Sequence, residues 1–404
     1  MAVYNLLVIL NNPATDRRRN PFHPGAGSPS PELAGRDELL ERAAVALDRI
    51  RAGRGARSVV LYGLRGVGKT VLLTTIWNRA EADGLVVVVL EAPEHRSLPG
   101  MLVPALRTSL LRLNRLKRAT AGVTRALRAL AGFAKLKVRY DDLEIALDVE
   151  PEPGLADSGD LDTDLGDLLV AVGEAAKGRE TAVVLTIDEL QYVPETQLAA
   201  LIAALHRAGQ RQLPITMIGA GLPQLLGQMG DAKSYAERLF EFVRVGPLDP
   251  AAATAALRLP VEREGEAIDD GTIAAILADT QGYPYFLQEW GKHCWDAAAS
   301  SPISAGDVAG ARELAVAELD GSFFRVRFDR LTPKEKRYLR AMAELGPGPH
   351  RSGDIAAEMA GQVTSLAPTR NSLIAKGMLF SPGHGDTAFT VPLFDSFMRR
   401  VMAT

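Results

Sequence analysis

The stretch Ser58-Val59-Val60-Leu61-Tyr62-Gly63-Leu64-Arg65-Gly66-Val67-Gly68-Lys69-Thr70 constrains the fold of this chain more than any other. An apolar run leads without a break into G-x-x-x-x-G-K-T. Its glycines let backbone N–H groups close around phosphate oxygens with no Cβ in the way. A helix opening near Lys69 turns the positive end of its dipole towards the same anion. In this pattern the lysine, Lys69, reaches the β- and γ-phosphates, and the Thr70 hydroxyl ligates Mg2+. The following Thr70 to Ala82 has the pattern of an amphipathic helix. Gly63, Leu64, Arg65, Gly66, Val67, Gly68, Lys69, Thr70 and Val71 are therefore candidate nucleotide-binding residues, with ATP and Mg2+ as the expected cofactors. A plain Gly-rich turn between strand and helix leaves the Lys-Thr pair unexplained.

A second site has the complementary chemistry. Thr181-Ala182-Val183-Val184-Leu185-Thr186-Ile187 reads as a buried strand and ends in Asp188-Glu189. A carboxylate at the tip of a strand beside a phosphate loop can hold Mg2+ through water, and the next can polarise an attacking water. Asp188 is the candidate metal residue and Glu189 the candidate base. The alternative is an acidic helix start that suits the helix dipole. Leu85 to Leu90 is a continuous apolar run, read as a strand buried on both faces of a parallel sheet. It intervenes between the loop and Asp188, an order found in ATPases that use a catalytic glutamate.

With 404 residues the chain can build about two or three domains with full cores. A net charge of -3 argues against wholesale coating of nucleic acid. The single cysteine, Cys294, excludes an internal disulfide, reads as a core residue and fits a reducing cytoplasm. The six histidines lack metal-ligand spacing. No segment has the apolar length of a membrane span, and the apolar run Val3 to Leu10 is short and lacks a basic start.

Residues 1–31 read as an irregular arm, rich in Pro, Gly, Ser and Arg. A helix is expected over Leu39 to Ala52. Between His95 and Tyr140 stand eleven Arg or Lys and no acidic residue, on a helical pattern from Met101 to Phe133. Lys135 to Val149 alternates like a strand or hairpin. Seven acidic residues follow between Glu150 and Asp167, read as a loop. Two readings stand: the basic helices and acidic loop neutralise one another, or the helices form a nucleic-acid or partner-binding face. Helices over Asp167 to Lys177, Glu195 to Gly209 and Leu222 to Met229 alternate with strands at Ile215 to Ile218 and Phe242 to Val245. Strand–helix alternation with apolar strands predicts an α/β doubly wound parallel sheet.

These motifs resemble the AAA+ ATPases, close to the origin-recognition (replication-initiator) type and the archaeal-type and signal-transduction ATPases. Leu33-Ala34-Gly35-Arg36-Asp37-Glu38 resembles the box that packs near adenine, which makes Gly35 and Arg36 nucleotide-binding candidates. Ser234 to Phe240 resembles the segment bearing the arginine finger, so Arg238 is the third catalytic candidate beside Lys69 and Glu189. A surface Arg paired with Glu237 or Glu241 is the alternative. Gly282-Tyr283-Pro284 resembles a G-x-P motif whose proline, here Pro284, lies against the nucleotide. Two departures matter. The end of the fourth strand is Gly219-Ala220-Gly221, with no polar sensor side chain, and no Arg stands at the second sensor. The resemblance thus implies a slow Mg-ATP switch rather than a processive motor.

The resemblance also implies domains at 32–248 (a P-loop ATPase core with an insertion over about 96–166), 249–322 (a helical lid) and 323–404 (a winged helix-turn-helix). In the last, Thr332-Pro333-Lys334-Glu335 is a helix start with a capping box. Helices over Ser352 to Met359 and Ser365 to Lys376 precede a hairpin of Met378 to Ser381 and Thr387 to Val391. Ser365, Thr369, Arg370, Asn371 and Lys376 are the DNA-contact candidates. From Thr332 to Thr404 nine basic residues face six acidic ones, a modest excess for a DNA reader. Double-stranded DNA and protein partners both remain open, as does a homo-oligomer.

Overall fold

The computed structural model describes residues 15–25, 27, 30–92, 97–115, 121–137 and 149–402. It comprises two compact units: Glu38–Gly63 with Leu72–Arg244, and Met1–Asp37 with Leu64–Val71 and Val245–Thr404.

The first unit is a sheet wrapped by helices. In chain order its elements are α1 (Asp37–Arg51), β1 (Ser58–Tyr62), α2 (Lys69–Ala82), β2 (Val86–Glu91), α3 (Leu98–Arg115), α4 (Ala121–Lys137), α5 (Leu161–Lys177), β3 (Val183–Asp188), α6 (Glu195–Gln210), β4 (Ile215–Gly221), α7 (Leu225–Ala232), α8 (Ala236–Leu239) and β5 (Phe240–Arg244). The five strands are all parallel, in the order β2-β3-β4-β1-β5. β4 thus stands between β1 and β3, with Tyr62 beside Gly221 and Ile187 beside Gly219. Each crossover is helical, as parallel pairing requires.

β3 is buried at every position and β4 likewise, so their apolar runs are those of central strands. β2 differs from expectation. It is an edge strand, and Val89 is 44% exposed. Its valines satisfy a strand with only one side paired, and a run of apolar residues does not tell the two cases apart.

The acidic segment also differs. Helix α5 begins at Leu161, not Asp167, because Asp160 caps it by accepting from the Thr163 N–H. Asp164 is buried and accepts from Ser158 and Gly159. Among the described residues, Arg112 pairs with Glu81, Arg125 with Glu174, Lys233 with Asp162, and Arg207 with Asp167. Lys135 lies on α4 rather than a strand, and most of the expected hairpin lies outside the described residues, as does Val3 to Leu10.

The second unit continues with α9 (Pro250–Arg263), α10 (Asp270–Thr280), α11 (Pro284–Ala297), α12 (Ala305–Leu319), a π-helical turn (Asp320–Phe324) and α13 (Arg325–Asp329). Then come α14 (Pro333–Glu344), β6 (His350–Arg351), α15 (Ser352–Glu358), α16 (Val363–Ala375), β7 (Leu379–Phe380), β8 (Asp386–Phe389) and α17 (Phe394–Val401). β6, β8 and β7 form an antiparallel sheet beside three helices, the arrangement of a winged helix. One hydrophobic core runs through this whole unit. Phe324 stacks on Phe397 and meets Phe286 and Phe394 edge-on or tilted. The described part of the N-terminal segment is anchored on this unit and, apart from a 3-10 turn at Arg17–Arg19, has no regular structure. Phe22 is buried against Gly291, where a Cβ would come within 2.7 Å of the ring, and Trp295 donates to the Asp16 carbonyl at 3.0 Å.

Candidate nucleotide site

β1 delivers the chain to Gly63, whose N–H donates to the Gly221 carbonyl at 3.2 Å. The loop then turns on two left-handed glycines, Gly66 at φ 79° and Gly68 at φ 88°. A side chain at either would strain that backbone. The turn ends where α2 begins, at Lys69. The Lys69 side chain is buried, and its Nζ donates to the Leu64 carbonyl at 2.9 Å, so the cation lies back across its own loop. Val67 is buried beneath the loop, Leu64, Arg65 and Val71 are partly buried, and Thr70 is exposed. The conformation is a cradle of N–H groups with a cation at its mouth, which fits a polyphosphate.

Other segments of the same unit fix this loop. Arg36 is buried, and its Nη2 donates to the Val67 carbonyl at 3.3 Å and the Gly246 carbonyl at 2.6 Å. Burial lowers the pKa of its guanidinium, and the nearby Asp249 carboxylate opposes that. Gly35 has φ 67°, and a Cβ there would stand 2.6 Å from that of Ala252. Pro284 is the first residue of α11, and the next N–H, of Tyr285, donates to the Gly66 carbonyl at 3.1 Å. The C-terminal module reaches the loop too: the Arg65 N–H donates to the Thr390 carbonyl at 2.9 Å. The contacts of Tyr285 and Thr390 have no sequence signature, because both are made through the backbone.

Asp188 ends β3, nine-tenths buried, and its Oδ1 accepts from the Glu189 N–H at 2.8 Å. Glu189 adopts a left-handed conformation at φ 52°, and Gln191 donates to its carboxylate. The Thr216 hydroxyl of β4 is buried and shares a hydrogen bond with that of Ser58 at 3.2 Å. Among the described residues no cluster of three or more His, Cys, Asp or Glu is set to hold a metal. Mg2+ in nucleotide sites relies on one or two protein ligands completed by phosphates and water, so one hydroxyl and one carboxylate fit it.

Arg238 lies exposed on the short α8, and its backbone N–H donates to the Tyr235 carbonyl at 3.0 Å. Of the two carboxylates that could pair with it, that of Glu241 accepts from Arg42 at 3.3 Å. Among the DNA-contact candidates three are engaged inside the module. Thr369 is buried. Arg370 donates to Thr387 at 2.7 Å, Ser381 at 2.9 Å and the Asp386 carbonyl at 3.0 Å. Lys376 donates to Glu335 at 2.7 Å. Ser365 and Asn371 are exposed, and the exposed face of α16 carries no cation.

Residues 32–218 match an AAA ATPase domain. The fold of that segment is an AAA+ P-loop fold, as its sheet order and phosphate loop are. Residues 321–398 match a second model, described as a domain of unknown function (DUF8462). No curated protein sequence matches the chain significantly. Three solved structures align along most of it. The Aeropyrum pernix Orc1 protein in complex with DNA is 14% identical with a TM-score of 0.46, covering 91% of this chain and 93% of that one. The Thermotoga maritima RuvB Holliday junction branch migration motor is 15% identical with a TM-score of 0.45, covering 88% and 92%. Cdc6p from Pyrobaculum aerophilum is 14% identical with a TM-score of 0.47, covering 96% and 98%. No described helix is long and apolar enough to cross a membrane.

Proposed function

We propose that the chain is a slow Mg-ATP-dependent switch that hydrolyses ATP to ADP and phosphate. The observation that carries this is the loop itself, with left-handed Gly66 and Gly68 and the buried Lys69 at the start of α2. In this reading backbone N–H groups of the loop Gly63 to Val71 bind the phosphates, that of Gly63 staying with the Gly221 carbonyl, and Lys69 leaves the Leu64 carbonyl to meet the β- and γ-oxygens. Gly35, Arg36 and Pro284 flank the base and loop. Thr70 and Asp188 hold Mg2+, which supplies charge neutralisation on the phosphates. Glu189 takes a proton from the attacking water as its oxygen bonds the γ-phosphorus. The bond from that phosphorus to the β–γ bridging oxygen breaks, and ADP leaves. Arg238, exposed on α8, acts as a finger in cis or on a neighbouring copy.

For the C-terminal module we propose protein docking rather than DNA reading, because the exposed face of α16 lacks the cations that phosphate contact needs. Lys69→Ala should abolish ATP binding; unchanged affinity would sink the whole reading. Turnover should not respond to duplex DNA. A salt-sensitive rise in turnover with duplex would restore DNA as the partner.

A further inference from the structure

The tip of β4 lacks a polar side chain, yet the structure fills that position from another strand. Gly219 and Gly221 leave room. A Cβ at Gly219 would stand 2.9 Å from Cδ2 of Leu190, and one at Gly221 would stand 2.8 Å from Oε1 of Gln191. Both occupied spaces belong to the 3-10 turn Leu190–Tyr192 that follows Glu189. The Gln191 side chain is 6% exposed and uses both ends of its amide. Its Oε1 accepts from the Leu222 N–H at 3.0 Å, and its Nε2 donates to Oε2 of Glu189. The Gln191 carbonyl in turn accepts from Gln228 of α7 at 3.4 Å.

Glu189 has reason to need such a hold. Its φ of 52° is a left-handed conformation that a residue with a side chain rarely adopts. The geometry points to Gln191 as the positioning residue of the Walker B glutamate: it ties the Glu189 carboxylate to the end of β4 and does the work of the missing sensor side chain there. In this arrangement the two glycines are the space that Gln191 needs rather than a lost function. A movement of the β4–α7 junction at Leu222 is then transmitted to the carboxylate through one side-chain amide. The inference rests on Glu189 acting as the base, and the experiment separates the two.

Steady-state ATP turnover and equilibrium binding of a fluorescent ATP analogue are measured for the wild type, Glu189→Gln, Gln191→Ala, Gln191→Glu and the double variant Glu189→Gln/Gln191→Ala. Gln191→Glu keeps an acceptor for the Leu222 N–H and loses the donor to Glu189. Both Gln191 variants should lose kcat by about ten- to a hundredfold, with KM and analogue affinity within about twofold of wild type. The double variant should be no slower than Glu189→Gln alone. Wild-type kcat in Gln191→Glu overturns the inference, since that variant has lost the donor to Glu189. So does a further loss in the double variant. Unchanged turnover in Glu189→Gln removes Glu189 as the base, and no turnover in the wild type overturns the hydrolysis reading; either result takes this inference with it.

Discussion

Arg36 is a buried cation whose hydrogen bonds found go to two carbonyls, those of Val67 and Gly246. Removing it leaves two acceptors in a desolvated place, which costs about 1–3 kcal/mol. Arg36→Met should therefore lower unfolding stability by about that amount in urea titration and also weaken ATP binding, because Val67 is part of the loop. Arg36→Lys should recover little, since a lysine lacks the fork that spans both carbonyls. Gly66 makes a similar case. Its φ of 79° disfavours any side chain, and a Cβ would stand 3.2 Å from that of Tyr285. Gly66→Ala should weaken ATP affinity with little change in the thermal melt of the apo protein; unchanged affinity would free the loop from the constraint argued here. Legibility at this scale was uneven. The residue types of the loop and of Asp188-Glu189 announce their chemistry, because phosphate and metal accept few alternatives. Arg370 and Lys376 look like DNA contacts in a list of residues, but a sequence does not say that Thr387 and Ser381 accept hydrogen bonds from the one and Glu335 pairs with the other.

Among elements, α14 carries the sharpest electrostatic prediction. Glu335 closes the capping box with Thr332 and receives Lys376 and Ser372. Burial pushes its carboxyl up, but the bonds from Lys376, Thr332 and Ser372 outweigh that and hold it at about 2, below the ordinary 4.5. A lowered folded-state value stabilises the fold above the unfolded value. That contribution is full above about pH 4.5 and is lost as pH falls towards about 2. Acid titration of stability should show this loss in the wild type and a shallower one in Glu335→Gln. An identical acid slope would remove Glu335 as its source. The capping box was readable from Thr-Pro-Lys-Glu, because it is local. The edge position of β2 and the start of α5 were not, because pairing partners and an Asp160 cap depend on where other segments lie.

At the scale of the whole molecule, the C-terminal module and the helices before it share one core. Phe324 sits at its centre, fully buried among Phe286, Phe394 and Phe397. Phe324→Ala should cost about 3–5 kcal/mol and broaden unfolding of both segments together. Two separate thermal transitions in calorimetry, only one of them shifted by the substitution, would contradict a shared core. The α/β order of the chain and its AAA+ resemblance were legible from the alternation of runs. The common core was not, since aromatic residues far apart in the chain carry no mark of meeting.

A peptide N–H carries a single proton, and at Arg65 that proton is given to the Thr390 carbonyl. A phosphate oxygen that claims the same amide must displace this acceptor or share it. The Arg65–Thr390 bond is therefore a built-in spectroscopic reporter. Amide hydrogen exchange at Arg65 and the carbonyl carbon shift of Thr390 should change together when ATP is added, so the state of the loop can be read near the far end of the polypeptide.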